Sequence, residues 1–164
     1  MKKAVILVFL GMAVVAAIFF LTCKQDQRII KKKLNLLADT VSRSPDQDEL
    51  TSLAKAGRLK GLFTPDCLIE LGEPIPRIDD RETLMAMYYN FQRAIPRIEV
   101  TFRDIAVTIE RPPLAAKTVM TATAVSPDSD GGGRRTDARE IEMEWKKIDR
   151  TWKIFKVSEV KTLY

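Results

Sequence analysis

Histidine is absent from the 164 residues of this chain. That removes the usual general base near neutral pH and the commonest metal ligand. Cysteine occurs only at Cys23 and Cys67. The first sits at the edge of an apolar run and the second in a predicted strand, so an intrachain disulfide is not expected. With no histidine to activate it, Cys67 reads as a small buried hydrophobe rather than a nucleophile. Metal-ligand spacing, a phosphate-cradling glycine loop, a nucleophile elbow and internal repeats are all missing. No catalytic residue, metal or cofactor is therefore assigned.

What is present is a globular composition, 46% hydrophobic and 30% charged. The net charge of +5 is unevenly placed. Lys2, Lys3, Lys24, Arg28, Lys31, Lys32, Lys33 and Arg43 all precede position 44. The remainder holds 19 basic against 20 acidic residues. A nucleic-acid binder needs a basic face on its folded domain, and this body is neutral. Nucleic acid is not an expected partner.

Residues 4–22, AVILVFLGMAVVAAIFFLT, carry no charge. As a helix they would span about 28 Å, close to a hydrocarbon core of about 30 Å. The run is longer than a signal-peptide core and ends without a small-residue cleavage site. It predicts an uncleaved single-pass anchor over 1–23, a basic segment and first helix over 24–43, and the rest of one domain over 44–164. Lys31, Lys32 and Lys33 lie within reach of anionic headgroups. Flanking charges place the domain in the cytoplasm, whereas the MKK start placed directly before the apolar run resembles an export signal. The extracytoplasmic side is the expectation carried forward, with the cytoplasmic side as its alternative.

Along the body, Ile30, Leu34, Leu37 and Val41 form a helical stripe over about 26–43. Ser44-Pro45-Asp46-Gln47 reads as a capping box opening a helix with Leu50, Leu53 and Ala54 inward. Asp66–Leu71 alternates as a strand. Asp79 caps a third helix with Leu84, Tyr88, Phe91 and Ile95 buried. From Arg97 onward the chain reads as strands, with a bulge near Arg103-Asp104 where apolar parity flips. Pro112-Pro113 makes a turn, and Ser126–Arg135 a flexible hairpin loop. In the last hairpin a turn at Asp149-Arg150 sets Trp145 opposite Ile154. A bulge near Phe155 then sets Glu144 opposite Lys156 and Met143 opposite Val157.

These elements predict an α+β cone, a curved antiparallel sheet wrapped around three helices behind an N-terminal transmembrane helix. In that order the chain resembles the nuclear transport factor two-like superfamily, near its SnoaL-like branch. The resemblance rests on Gly61-Leu62-Phe63-Thr64-Pro65-Asp66, on Arg81-Glu82-Thr83-Leu84, and on Trp145 with Ile148-Asp149-Arg150-Thr151-Trp152-Lys153-Ile154. Arg150 departs from it, since such turns usually carry glycine.

The resemblance implies a concave pocket but no single activity. Its dehydratases use a histidine that this chain lacks. Its isomerase-like members pair a buried carboxylate with a tyrosine, for which Glu70 or Asp104 with Tyr88 or Tyr89 would be the candidates. The expected pocket lining is Phe63, Cys67, Ile69, Tyr88, Phe91, Phe102, Trp145 and Ile154. The resulting expectation is a membrane-tethered, non-enzymatic domain that binds a small apolar ligand or a protein partner. Membrane-anchored secretion assembly factors share the tether and general fold, which gives a scaffold variant. The alternative is an isomerase- or cyclase-like enzyme on a hydrophobic substrate. Related sheets pair face to face, and the threonine-rich strand allows a homodimer.

Overall fold

The computed structural model describes residues 2–73, 75–110, 114–128 and 133–160, with side chains from Thr22 onward. Three helices and five strands follow in the order α1 (Lys2–Val41), α2 (Glu49–Leu62), β1 (Phe63–Glu70), α3 (Arg81–Ala94), β2 (Glu99–Glu110), β3 (Ala115–Pro127), β4 (Arg134–Ile148) and β5 (Thr151–Glu159). They form an α+β cone. Its one sheet has the order β1-β5-β4-β3-β2.

The sheet is not wholly antiparallel, as the sequence had suggested. β1 pairs with β5 in parallel. One helix and three strands separate β1 from β5 in sequence, which provides the long crossover that a parallel pair requires. The other pairings follow the alternation of the chain. Trp145 faces Ile154, Met143 faces Val157 and Glu144 faces Lys156, with the register shift between Glu144 and Trp145. The shift in β2 falls between Arg103 and Ala106, and Asp104 there has φ 53°. The β4–β5 turn holds Asp149 at φ 47° and Arg150 at φ 63°. Positive φ at both central residues is the geometry of a two-residue type I′ turn, which twists with the strands. This chain makes that turn without glycine.

Helix starts differ from expectation by a few residues. Asp48, not Ser44, caps α2, its carboxylate accepting from Thr51 N at 2.7 Å. Asp80, not Asp79, caps α3 through Thr83 N at 2.7 Å. In both cases the aspartate nearer the helix won, because the cap oxygen must meet the amide three residues on. Ser44 instead closes a turn, its carbonyl accepting from Gln47 N. α2 is also rotated. Leu50 and Leu53 are exposed, and Ala56, Leu59 and Leu62 are the buried residues.

α1 lies along β2, antiparallel to it. Gln27 Nε2 donates to Val107 O at 3.2 Å near one end, and Arg43 and Ile98 exchange backbone bonds at the other. Among the described residues no helix is long and apolar enough to cross a membrane. The side chains of the run expected to do so lie outside those residues, except for Thr22. The Pro112-Pro113 turn and the middle of the Ser126–Arg135 loop also lie outside them.

Candidate functional site

The cone is filled at one end and hollow at the other. At the filled end Trp145 and Trp152 are almost fully buried together with Ile30, Leu34, Met120 and Ile154. Trp145 Nε1 donates to Thr118 Oγ1 at 3.1 Å. Trp152 Nε1 and Lys147 Nζ donate to Asp26 Oδ1 at 3.0 and 2.7 Å. Each indole thus has its polar handle satisfied, as burial of tryptophan requires.

Toward the other end the inner wall opens into a cavity of about 420 Å³. That lies within the range of about 300–1,000 Å³ usual for small-molecule sites. α1 contributes Leu37 and Val41, and α3 contributes Leu84, Met87, Tyr88 and Phe91. The sheet contributes Phe63, Ile69, Phe102, Ala122, Ile141 and Met143. Ile75, beyond β1, reaches the rim. Protein interiors rarely keep voids much larger than a water molecule, and lining atoms without neighbours forfeit dispersion contacts. Space of this size within a packed fold is therefore held open at a cost.

Of the residues expected to line a pocket, Phe63, Ile69, Tyr88, Phe91 and Phe102 do so. Cys67, Trp145 and Ile154 do not. They belong to the packed core, with exposures of 0%, 1% and 0%. Parity placed them correctly on the inner face but could not show that the core fills the space beside them. Lys31 and Lys32 are exposed. Lys33 is half-buried, and burial followed by nearby Lys153 lowers its pKa.

The carboxylate–tyrosine pair is not assembled. Tyr88 lines the cavity, but its hydroxyl donates to Thr40 O at 3.1 Å. Burial, then Tyr89, raises its pKa. Glu70 faces away and bonds Arg77 at 2.9 Å. Asp104 is exposed in the β2 bulge. Tyr89 is 46% exposed. The sequence reading missed Asp137 and Arg139, which do reach the cavity wall. They share the odd-numbered parity of Ile141, Met143 and Trp145, so carrying the alternation back along β4 would have found them.

Arg139 ties the rim together. Its Nε donates to Asp137 Oδ2 at 3.2 Å, its Nη1 to Leu71 O at 2.7 Å and its Nη2 to Glu73 O at 3.3 Å. Glu159 lies 3.6 Å away. The chain turns there at Gly72, whose φ is 69° and where an added Cβ would come within 2.9 Å of Glu159 Oε2. The site therefore combines a carbon-lined interior with one guanidinium–carboxylate cluster at its edge. Such a surface suits an apolar guest, because the polar groups already satisfy one another.

Burial raises the Cys67 thiol to about 11. A raised thiol pKa stabilises the fold below the unfolded thiol range of about 8.5, and that contribution is lost as pH rises through the folded value. Iodoacetamide at pH 8 should therefore modify Cys23, which is partly exposed, and leave Cys67 intact until the chain unfolds. Mass spectrometry of the peptides reads this directly. Stoichiometric modification of Cys67 in the folded protein would contradict its placement.

No family model matches the sequence, and no curated protein matches it. Solved structures do match in shape. A protein from Novosphingobium aromaticivorans, described as NTF2-like with a cystatin-like fold, aligns with TM-score 0.70 and 12% identity over 87% of this chain and 86% of its own. A hexachlorocyclohexane dehydrochlorinase (LinA, type 2) aligns with TM-score 0.69 and 13% identity over 85% and 87%. A protein from Kribbella flavida aligns with TM-score 0.68 and 15% identity over 86% and 93%. At these identities the likeness carries the architecture alone. The chain has the cystatin-like, nuclear transport factor two-like fold.

Proposed function

We propose that this chain is a membrane-tethered, non-enzymatic binding protein that holds a small apolar ligand in its cone. The carrying observation is the cavity, lined by carbon and without a free acid–base pair. The tether reading rests on the uncharged run at 4–22, within a helix that continues unbroken from Lys2 to Val41. Asp26 and Trp152 lie at the filled end of the cone, so the cavity opens away from the side on which that run leaves.

The test uses N-phenyl-1-naphthylamine, a neutral apolar fluorophore that brightens on leaving water. The wild-type chain should bind it saturably. Ala122→Phe places a ring into the cavity and should weaken binding by at least about tenfold, with thermal stability unchanged or raised. Equal binding by both proteins, or none by the wild type, would overturn the reading.

A second reading, an isomerase- or cyclase-like enzyme on a hydrophobic substrate, is favoured by Asp137 at the cavity wall and by a dehydrochlorinase among the chains of similar shape. Asp137 is committed to Arg139 and its side chain is 53% exposed. An exposed carboxylate already paired with a guanidinium lacks the buried apolar setting of such an enzyme's base.

A further inference from the structure

The closed end of the cone carries the β4–β5 turn, and its position relative to α1 is fixed by hydrogen bonds. Gln27 is bonded to Val107 O, and Asp26 to Lys147 and Trp152. From Val107, β2 continues three residues to Glu110, a rise of about 10 Å. From Gln27, α1 runs back five residues to Thr22, a rise of about 7.5 Å in the same direction. The described end of β2, at Glu110, therefore reaches the level of Thr22, the last residue of the uncharged run.

The β4 end of the β4–β5 turn stands beside the start of β3, since Lys147 N donates to Leu114 O at 3.2 Å. Ile148, the last residue of β4, and Leu114, just before β3, are 38% and 43% exposed. A single exposed leucine needs no explanation. Two large apolar side chains at this end of the cone, level with the end of a membrane-length run, are a different matter. Exposed Lys24 and Arg28 lie on α1 within six residues of Thr22, and exposed Arg150 lies in the β4–β5 turn. The described acidic groups at the end of β2 and in the β4–β5 turn are Glu110 and Asp149. Asp26, by contrast, is buried and engaged by Lys147.

We propose that Leu114 and Ile148 form a second, shallow contact with the same bilayer, seated among anionic headgroups by Lys24, Arg28 and Arg150. The inference rests on the tether reading. Basic side chains near an anionic surface add attraction, and two apolar side chains add the burial that holds orientation. Lys31–Lys33 begin nine residues beyond Thr22, about 13 Å further along the helix. That is past a Debye length of about 8–10 Å, so Lys24 and Arg28 are the better placed cations.

The test reconstitutes the full chain, with Cys23→Ser, into vesicles of phosphatidylcholine with or without phosphatidylglycerol. A bimane label is placed at Leu114→Cys, Ile148→Cys or, as control, Leu50→Cys. All three positions are exposed, so the fold should tolerate them. Doxyl-labelled lipid should quench the label at 114 and 148 several-fold more than at 50. Phosphatidylglycerol should deepen that quenching, and combined Lys24→Glu, Arg28→Glu and Arg150→Glu changes should cancel the deepening. Co-flotation of the chain with lipid, but with equal quenching at all three sites, would overturn the contact alone. Failure to co-float would overturn the tether and the contact with it. Quenching indifferent to phosphatidylglycerol would overturn the role of the basic residues.

Discussion

Trp145→Ala is expected to destabilise the domain by about 3–5 kcal/mol, the range for truncating a buried aromatic. Trp145 is 1% exposed, lies opposite Ile154 across the β4–β5 pair, and belongs to the packed core. Helix and sheet backbones hold its walls apart, so the space left by the indole cannot collapse. Its loss also strips Thr118 Oγ1 of a donor in a place that water does not reach. Trp145→Phe should cost less, roughly 1–2 kcal/mol, because most of the ring volume stays while the Nε1–H bond goes. In a domain of this size each kcal/mol lowers the melting temperature by about 2–4 °C. Near-ultraviolet circular dichroism should therefore show the alanine variant melting about 10 °C early. A cost below about 1 kcal/mol would mean that Trp145 borders open space rather than filling it.

Asp26→Ala carries the second large effect, about 3 kcal/mol. The carboxylate is 4% exposed and accepts from both Lys147 Nζ and Trp152 Nε1. Its removal leaves an ammonium and an indole N–H facing a space without an acceptor. Lys147 keeps 21% side-chain exposure and can turn partly to water, which holds the cost at the lower end of the buried-pair range. Asp26→Asn should fall between, since an amide oxygen still accepts from Trp152 but no longer neutralises Lys147. A double-mutant cycle with Lys147→Ala isolates the pair. Because α1 depends on this anchor, hydrogen exchange from Thr22 to Ile30 should accelerate in Asp26→Ala while β3 and β4 stay protected. Additive effects of the two substitutions would contradict the pairing.

The sheet was far more legible in the sequence than the helices. In β4 and β5 a one-residue slip would turn Met143, Trp145 and Ile154 to water, so alternation alone fixes the register and even the bulge. The same logic located the β2 irregularity at Arg103-Asp104. α2 was misread because Leu50 and Leu53 look like an inward stripe, yet they remain exposed while Ala56, Leu59 and Leu62 pack. Small residues such as Ala56 give little pattern signal, although they permit close approach of helix to sheet. The parallel β1–β5 pair was invisible, because nothing local to either strand records its partner.

The site divided along the same line. Alternation tells which side chains face inward, and it put Phe63, Ile69, Phe102, Trp145 and Ile154 there together. Whether an inward residue meets a helix or a void depends on how far α1 and α3 extend across the sheet. Trp145 and Ile154 are packed in the core, whereas Phe102 and Phe91 face space. Asp137 and Arg139 escaped notice because charged residues on an inner strand face are normally read as the end of the core. Here they mark its rim.

The outer face of the hairpin adds little to stability. Lys156 and Glu144 approach only to 3.9 Å, and Lys117 and Glu142 to 3.0 Å with both side chains partly exposed. Such surface pairs contribute about 0–1 kcal/mol each. The interleaved aromatic and charged residues of this hairpin thus act through the inner face, where Trp145 and Trp152 close the cone beneath the cavity.

The central claim is that the cavity takes an apolar guest, and calorimetric titration of the wild-type chain with N-phenyl-1-naphthylamine at several temperatures tests it most directly. Entry into a carbon-lined space predicts one saturable site and a negative heat-capacity change, the robust mark of apolar burial. Non-saturating heats, or a heat-capacity change near zero, would contradict it.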